Sequence, residues 1–126
     1  MENGESSKRA HERLDVWQDA MHLVERVYGV TSGFPVDERF GLTAQIRRAA
    51  ISIPSNIAEG AARRSGPDYQ RFLSIARGSL SEMSTQLQIA RRLAYMDASP
   101  AIEDLIDRVF ARLTALMNTL QKRGKA

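Results

Sequence analysis

The stretch Gln45-Ile46-Arg47-Arg48-Ala49-Ala50-Ile51-Ser52-Ile53-Pro54-Ser55-Asn56-Ile57-Ala58-Glu59-Gly60 holds the densest group of side chains capable of chemistry. At helical spacing Gln45, Arg48, Ser52, Ser55, Asn56 and Glu59 share one face. Ser52 or Ser55 would need a neighbouring base and an oxyanion hole to act as a nucleophile. No histidine lies nearby in sequence, and no oxyanion motif accompanies either serine. The polar face therefore reads as an inter-helix network, with hydroxyls and Asn56 meeting backbone groups that Pro54 frees. Only two histidines exist, His11 and His22. Di-iron bundles need paired Glu-x-x-His motifs, and this chain offers a single Asp19-x-x-His22. There is no cysteine, which removes disulfides, thiolate metal sites and a cysteine nucleophile. No phosphate loop, zinc motif or dinucleotide fingerprint is present. The expectation is a non-enzyme with no metal and no cofactor.

Arginine is the remaining chemical signal. The net charge of +3 is modest but unevenly spread. Met1 to Glu38 carries four basic and eight acidic residues, whereas Arg39 to Arg92 carries nine arginines against Glu59, Asp68 and Glu82. Arg48 falls on the polar face of the second helix, and Arg63 and Arg64 in the loop after it. Arg71, Arg77, Arg91 and Arg92 fall on the third helix, away from its apolar seam or at its edge. These seven residues form the expected nucleic-acid surface. Planar guanidinium forks suit phosphate, and contact with RNA or DNA should be backbone-driven and salt-sensitive. Aromatic residues are too few among them for base stacking. The same basic surface would also suit a protein partner such as a polymerase, or the acidic first helix of another copy.

Four amphipathic segments must position these groups. The first runs from about Leu14 to Ser32, with Val16, Ala20, Leu23, Val27 and Val30 in one stripe. Trp17, Met21, Val24 and Tyr28 make a second stripe beside it. Gly33-Phe34-Pro35 ends it. The second segment runs from about Val36 to Ala62. Leu42, Ile46, Ala50, Ile53 and Ile57 share one arc, Phe40, Ala44, Ile51 and Ala58 another, and Arg47 lies between. Pro54 falls inside this run, so one helix kinked at the proline is predicted. Ser65-Gly66-Pro67-Asp68 has capping-box spacing. It opens a third helix that reaches about Met96, with a seam at Tyr69, Phe72/Leu73, Ala76, Leu80, Met83, Leu87, Ala90 and Ala94. Ser99-Pro100 starts the fourth, which reaches about Lys122.

Short connections between long helices favour an all-α, antiparallel up-and-down four-helix bundle over residues 14–121. A flexible arm, 1–13, precedes it and a basic tail, 122–126, follows. Ile53 to Phe72 superficially resembles a helix-turn-helix, but the flanking helices are too long and Gly66-Pro67 falls where a recognition helix would begin. No apolar run approaches the ~20 residues of a membrane span. The amino terminus lacks a signal peptide's hydrophobic core. No membrane partner and a cytoplasmic location are expected.

A helix in a monomeric bundle needs one apolar stripe. The first two have more, and Trp17, Tyr28, Phe40, Arg47 and Ile51 are the expected contacts between copies. Acidic and basic surfaces on one molecule suit a head-to-tail contact that closes into a ring.

From Leu14 to Leu120 the chain resembles the four-helix-bundle family of proteins encoded in 23S ribosomal RNA intervening sequences. The resemblance rests on Leu14-Asp15-Val16-Trp17-Gln18-Asp19-Ala20, Phe34-Pro35, Gly41-Leu42-Thr43, Gln45 to Ala50, Ser52 to Gly60, and Arg71 to Leu80. Ser-Ile-Pro-Ser-Asn-Ile-Ala-Glu-Gly is its most specific string. The resemblance implies a four-helix bundle assembled as a homopentameric ring, with no enzyme activity attached. The family is also similar to the accessory variability determinant protein of diversity-generating retroelements. That likeness implies a basic pentamer working with a reverse transcriptase and nucleic acid.

Overall fold

A computed structural model of the protein describes residues 9–125, and residues 1–8 of the expected arm lie outside them. The described residues form four α-helices and no strand. These are α1 (Asp15–Thr31), α2 (Leu42–Ala61), α3 (Gly66–Arg92) and α4 (Pro100–Lys125), with 3-10 turns at Ala10–Arg13 and Val36–Glu38. They pack as a helical bundle in which α1 touches α2 and α4, and α3 touches the same two.

The core is the sum of the four stripes. Val16, Ala20, Leu23 and Val27 of α1 meet Ile46, Ala50, Ile53 and Ile57 of α2, all buried. From α3 come Leu73, Ala76, Leu80, Met83, Leu87 and Ala90, and from α4 Ile102, Leu105, Ile106, Val109 and Leu113. Burying each large side chain stabilises by roughly 1.5–3 kcal/mol. Among the described residues one charge enters this interior: the Asp19 side chain, only 10% exposed, is held by Arg112 at 2.5 Å and Arg108 at 3.5 Å. This carboxylate ties α1 to α4.

The start of the second helix differs from expectation. Val36–Glu38 forms a 3-10 turn, and α2 begins only at Leu42. The break follows from Gly41, whose backbone lies at φ −104°, ψ −114°, outside the helical region. The Glu38 carboxylate accepts from the Leu42 N–H at 3.1 Å, satisfying an N-terminal donor that Gly41 has no side chain to reach. A Cβ on Gly41 would stand 2.7 Å from that carboxylate oxygen. The other Glu38 oxygen accepts from the Tyr95 hydroxyl at 2.9 Å. This hydrogen bond, with burial and the charges of Glu38 and Asp37, raises the Tyr95 pKa above a phenol's usual value.

α3 stops at Arg92, short of the expected Met96, because Ala94 adopts a left-handed conformation at φ 62°. Its N–H donates to the Arg91 carbonyl at 3.0 Å, and the Tyr95 N–H to the Ala90 carbonyl at 2.9 Å. This is a Schellman cap with alanine where glycine is usual. Ala94→Gly should raise stability by about 1 kcal/mol, as read from the urea midpoint, because it relieves the left-handed alanine. A lowered midpoint would contradict that conformation. The other caps match expectation: Ser65 Oγ accepts from the Asp68 N–H at 3.2 Å, and Ser99 Oγ from the Ile102 N–H at 3.3 Å. α4 runs on through residues 122–125, expected as a tail.

Candidate nucleic-acid and assembly surfaces

The outer groove between α1 and α2 gathers most of the expected assembly residues. Ile51 stands at its middle, 44% exposed. Toward the α1 start it joins Trp17, Met21, Val24, Pro54 and Ala58 around a depression of about 350 Å³. Toward the α1 end it joins Tyr28, Arg39, Thr43, Ala44, Arg47 and Arg48 around another of about 390 Å³. Trp17 is half-buried, with the His11 ring edge-on at 5.0 Å.

Arg47 is more committed than its sequence position implies. Its Nε donates to Thr31 Oγ1 at 2.9 Å and a terminal nitrogen to the Tyr28 carbonyl at 3.4 Å. Its guanidinium lies 4.3 Å from the centre of the Tyr28 ring. A cation here complements the carbonyl end of α1. Phe40 sits apart, in the connection before α2, and is 85% exposed, with Val36 in the same connection at 80%. Arg39 covers one face of the Phe40 ring at 4.7 Å.

The seven arginines separate into groups. At the junction of α2 and α3, Arg63 and Arg71 both lie against the Phe72 ring, 4.7 and 4.6 Å from its centre. Arg63 also pairs with Glu59 at 3.3 Å and Arg71 with Asp68 at 3.8 Å, all four side chains well exposed. Arg64 is exposed next to Arg63 in sequence and has no ion pair among the described residues. The end of α4 arrives at the same place. Gly66, Pro67 and Gln70 line a groove of about 530 Å³ together with Met117, Leu120, Gln121 and Gly124. Gln70 donates to the Met117 carbonyl at 2.6 Å. Lys122 and Arg123, exposed on the last turns of α4, therefore stand at the end of the bundle that holds Arg63 and Arg64.

The other four lie elsewhere. Arg77 faces the α3–α4 groove, donating to Thr114 Oγ1 at 3.4 Å. Arg91 is tied to Glu103 at 2.7 Å near the opposite end of the bundle, where Arg92 is exposed. Arg48 belongs to the α1–α2 groove. Arg63 and Arg71 thus share the Phe72 ring with Arg64 next in sequence, and Lys122 and Arg123 lie at the same end of the bundle; Phe72, Lys122 and Arg123 were not among the expected site residues.

Of the two serines expected in a polar network, Ser52 enters one, whereas Ser55 is exposed and lines the α1–α2 depression. Ser52 Oγ and Ser79 Oγ are 2.9 Å apart, and Asn56 donates to the Ser52 hydroxyl at 2.9 Å and to its carbonyl at 2.8 Å. These bonds link α2 to α3 beside Pro54.

Among curated proteins, none matches the chain significantly. The family described as 23S rRNA-intervening sequence protein matches residues 12–116, which takes in all of α1 to α3 and most of α4. The Ser52–Gly60 string, the cap at Ser65 and the helices that carry them all fall inside that span. The chain belongs to the 23S rRNA-intervening sequence protein family.

Proposed function

We propose that this is a non-enzymatic, cytoplasmic protein that forms a ring of copies and contacts RNA or DNA through its basic end. The observation that carries the reading is the convergence of Arg63 and Arg71 on Phe72 beside the exposed Arg64, at the end of the bundle to which α4 also brings Lys122 and Arg123. The only carboxylates on α2 and α3 near it, Glu59 and Asp68, are already paired. A cluster that keeps more cations than carboxylates attracts a polyanion, and a ring would repeat it in every copy. The family's description ties its coding sequences to ribosomal RNA genes, which supports a nucleic-acid context. No helix among the described residues is long and apolar enough to cross a membrane. The Ser52 hydroxyl is held by Ser79 and Asn56, neither of which is a base, which supports a structural role.

The bundle is read as up-and-down and antiparallel. Gln70 meets Met117, Arg77 meets Thr114 and Arg91 meets Glu103, so α3 and α4 run in opposite senses. Ser52–Ser79 and the approach of Gly60 to Phe72 give the same relation for α2 and α3. Pro54 lies within an unbroken α2 and would kink it. The ring, a pentamer by resemblance, would use the apolar α1–α2 groove.

Fluorescence anisotropy with an RNA hairpin and duplex DNA tests the function. Affinity should fall steeply with salt. The triple substitution Arg64→Glu, Lys122→Glu, Arg123→Glu should weaken binding at least about 100-fold and reduce the salt slope by about 3. A flat signal from the unaltered protein at low salt would end this reading. The exposure of Val36 and Phe40 favours a second one, an oligomeric scaffold that docks a polymerase or reverse transcriptase. Flat anisotropy together with capture of such an enzyme, lost in Phe40→Asp, would select it.

A further inference from the structure

We propose that Phe72 is the positioning residue of a two-guanidinium clamp for phosphodiester oxygens, formed with Arg63 and Arg71. The proposal rests on the nucleic-acid reading and specifies how its basic end would grip. Two arginines from different elements converge on one aromatic ring, at 4.7 and 4.6 Å from its centre. Two cations so placed repel one another, and no single carboxylate bridges them. Each leans instead on an acid of its own helix or adjoining turn, Glu59 or Asp68. Those carboxylates are exposed and each contact uses one terminal nitrogen, so most of the five donors of each guanidinium stay open.

The π-face of Phe72 restricts two long side chains that would otherwise roam, and it leaves their edges for hydrogen bonds. Phosphate oxygens fit those edges in the forked geometry that guanidinium favours. Binding would exchange a carboxylate contact for a phosphate contact at each arginine, with no change of fold. No base edge is read, so the grip would be indifferent to sequence.

The base of the Phe72 side chain is closely packed. Gly60 packs so closely that a Cβ there would lie 3.0 Å from Phe72 Cβ and 3.0 Å from Tyr69 Cδ1. The α2 backbone therefore serves as a floor beneath both aromatic residues. The partly buried Tyr69 phenol, its pKa raised by desolvation, belongs to the same wall.

The test compares Phe72→Leu and Phe72→Tyr in the full chain, with thermal melting confirming that both fold. Two readouts are taken: anisotropy with an RNA hairpin across a salt series, and arginine Nε–Hε NMR signals during titration with inorganic pyrophosphate. Phe72→Leu should weaken RNA binding about 10-fold and lower the salt slope by 1 to 2. It should also abolish the pyrophosphate response of Arg63 and Arg71, while Phe72→Tyr preserves both. Equal affinity and slope for Phe72→Leu and the unaltered protein would overturn the proposal. So would pyrophosphate shifts that do not depend on residue 72, or a polyglutamate peptide that competes as well as RNA. A pyrophosphate response at Arg63 and Arg71 without any RNA binding would sustain the clamp and remove the nucleic-acid reading.

Discussion

Gly60→Val should cost about 3 kcal/mol of stability, a fall of about 10 °C in the melting temperature. The physical cause is the approach of α2 to α3. A single added carbon at residue 60 would meet Phe72 Cβ and Tyr69 Cδ1 at 3.0 Å and the Tyr69 carbonyl oxygen at 3.2 Å. The Tyr69 carbonyl is backbone and Phe72 Cβ is bonded directly to the backbone, so neither can swing aside even if the Tyr69 ring turns. The two methyls of valine would force the helices apart along a contact that also carries the Ser52–Ser79 hydrogen bond. Gly60→Ala should cost much less, because alanine regains about 1 kcal/mol of helix propensity over glycine. Urea denaturation of both variants checks the ranking. A valine variant as stable as the unaltered protein would show that the helices have slack here.

In the proposed ring, Ile51→Asp should separate the copies while leaving each one folded. Ile51 lies on the outer face of α2, on the lining of both depressions of the α1–α2 groove. Covering its apolar surface in a ring contributes roughly 1.5–3 kcal/mol per contact, and a carboxylate there adds a desolvation cost. The contact should weaken by about 100-fold or more, enough to convert a micromolar assembly into monomers. Sedimentation velocity and native mass spectrometry read the change directly, and the melting curve of the monomer tests its integrity. An unaltered protein that sediments as a monomer at micromolar concentration would remove the α1–α2 groove as an interface. An Ile51→Asp assembly of full mass would do the same.

The core was the most legible part of the structure, because each buried stripe repeats every three or four residues and needs no tertiary information. Helix starts at Ser65 and Ser99 were legible for a similar reason, since each cap is local to four residues. Helix ends were not. The start of α2 depends on Gly41 giving way to the Glu38 carboxylate, and the end of α3 depends on an alanine in a glycine's conformation. Alanine carries no signal of that kind in sequence.

The candidate site was legible in charge and illegible in pairing. Phe72 and Leu73 are adjacent, and helical spacing admits either to the seam. The structure buries Leu73 and leaves Phe72 partly exposed among the arginines. Arg91 finds Glu103 across the α3–α4 connection, and Asp19 finds Arg112 from the far end of the chain. Such partners are chosen by packing. Lys122 and Arg123 were visible as a basic tail, but only the continuation of α4 places them at the end of the bundle that holds Arg63 and Arg64.

Glu38 uses one oxygen for the first turn of α2 and the other for the hydroxyl of Tyr95, whose ring also rests 5.7 Å from Phe34. Two chain reversals far apart in sequence therefore share a single carboxylate. Neither can loosen without releasing a partner of the other, so this end of the molecule opens as one cooperative unit. Amide protons of the Phe34–Leu42 and Leu93–Ser99 segments would then exchange with solvent through a common event, and a strained Ala94 sets how often that event occurs.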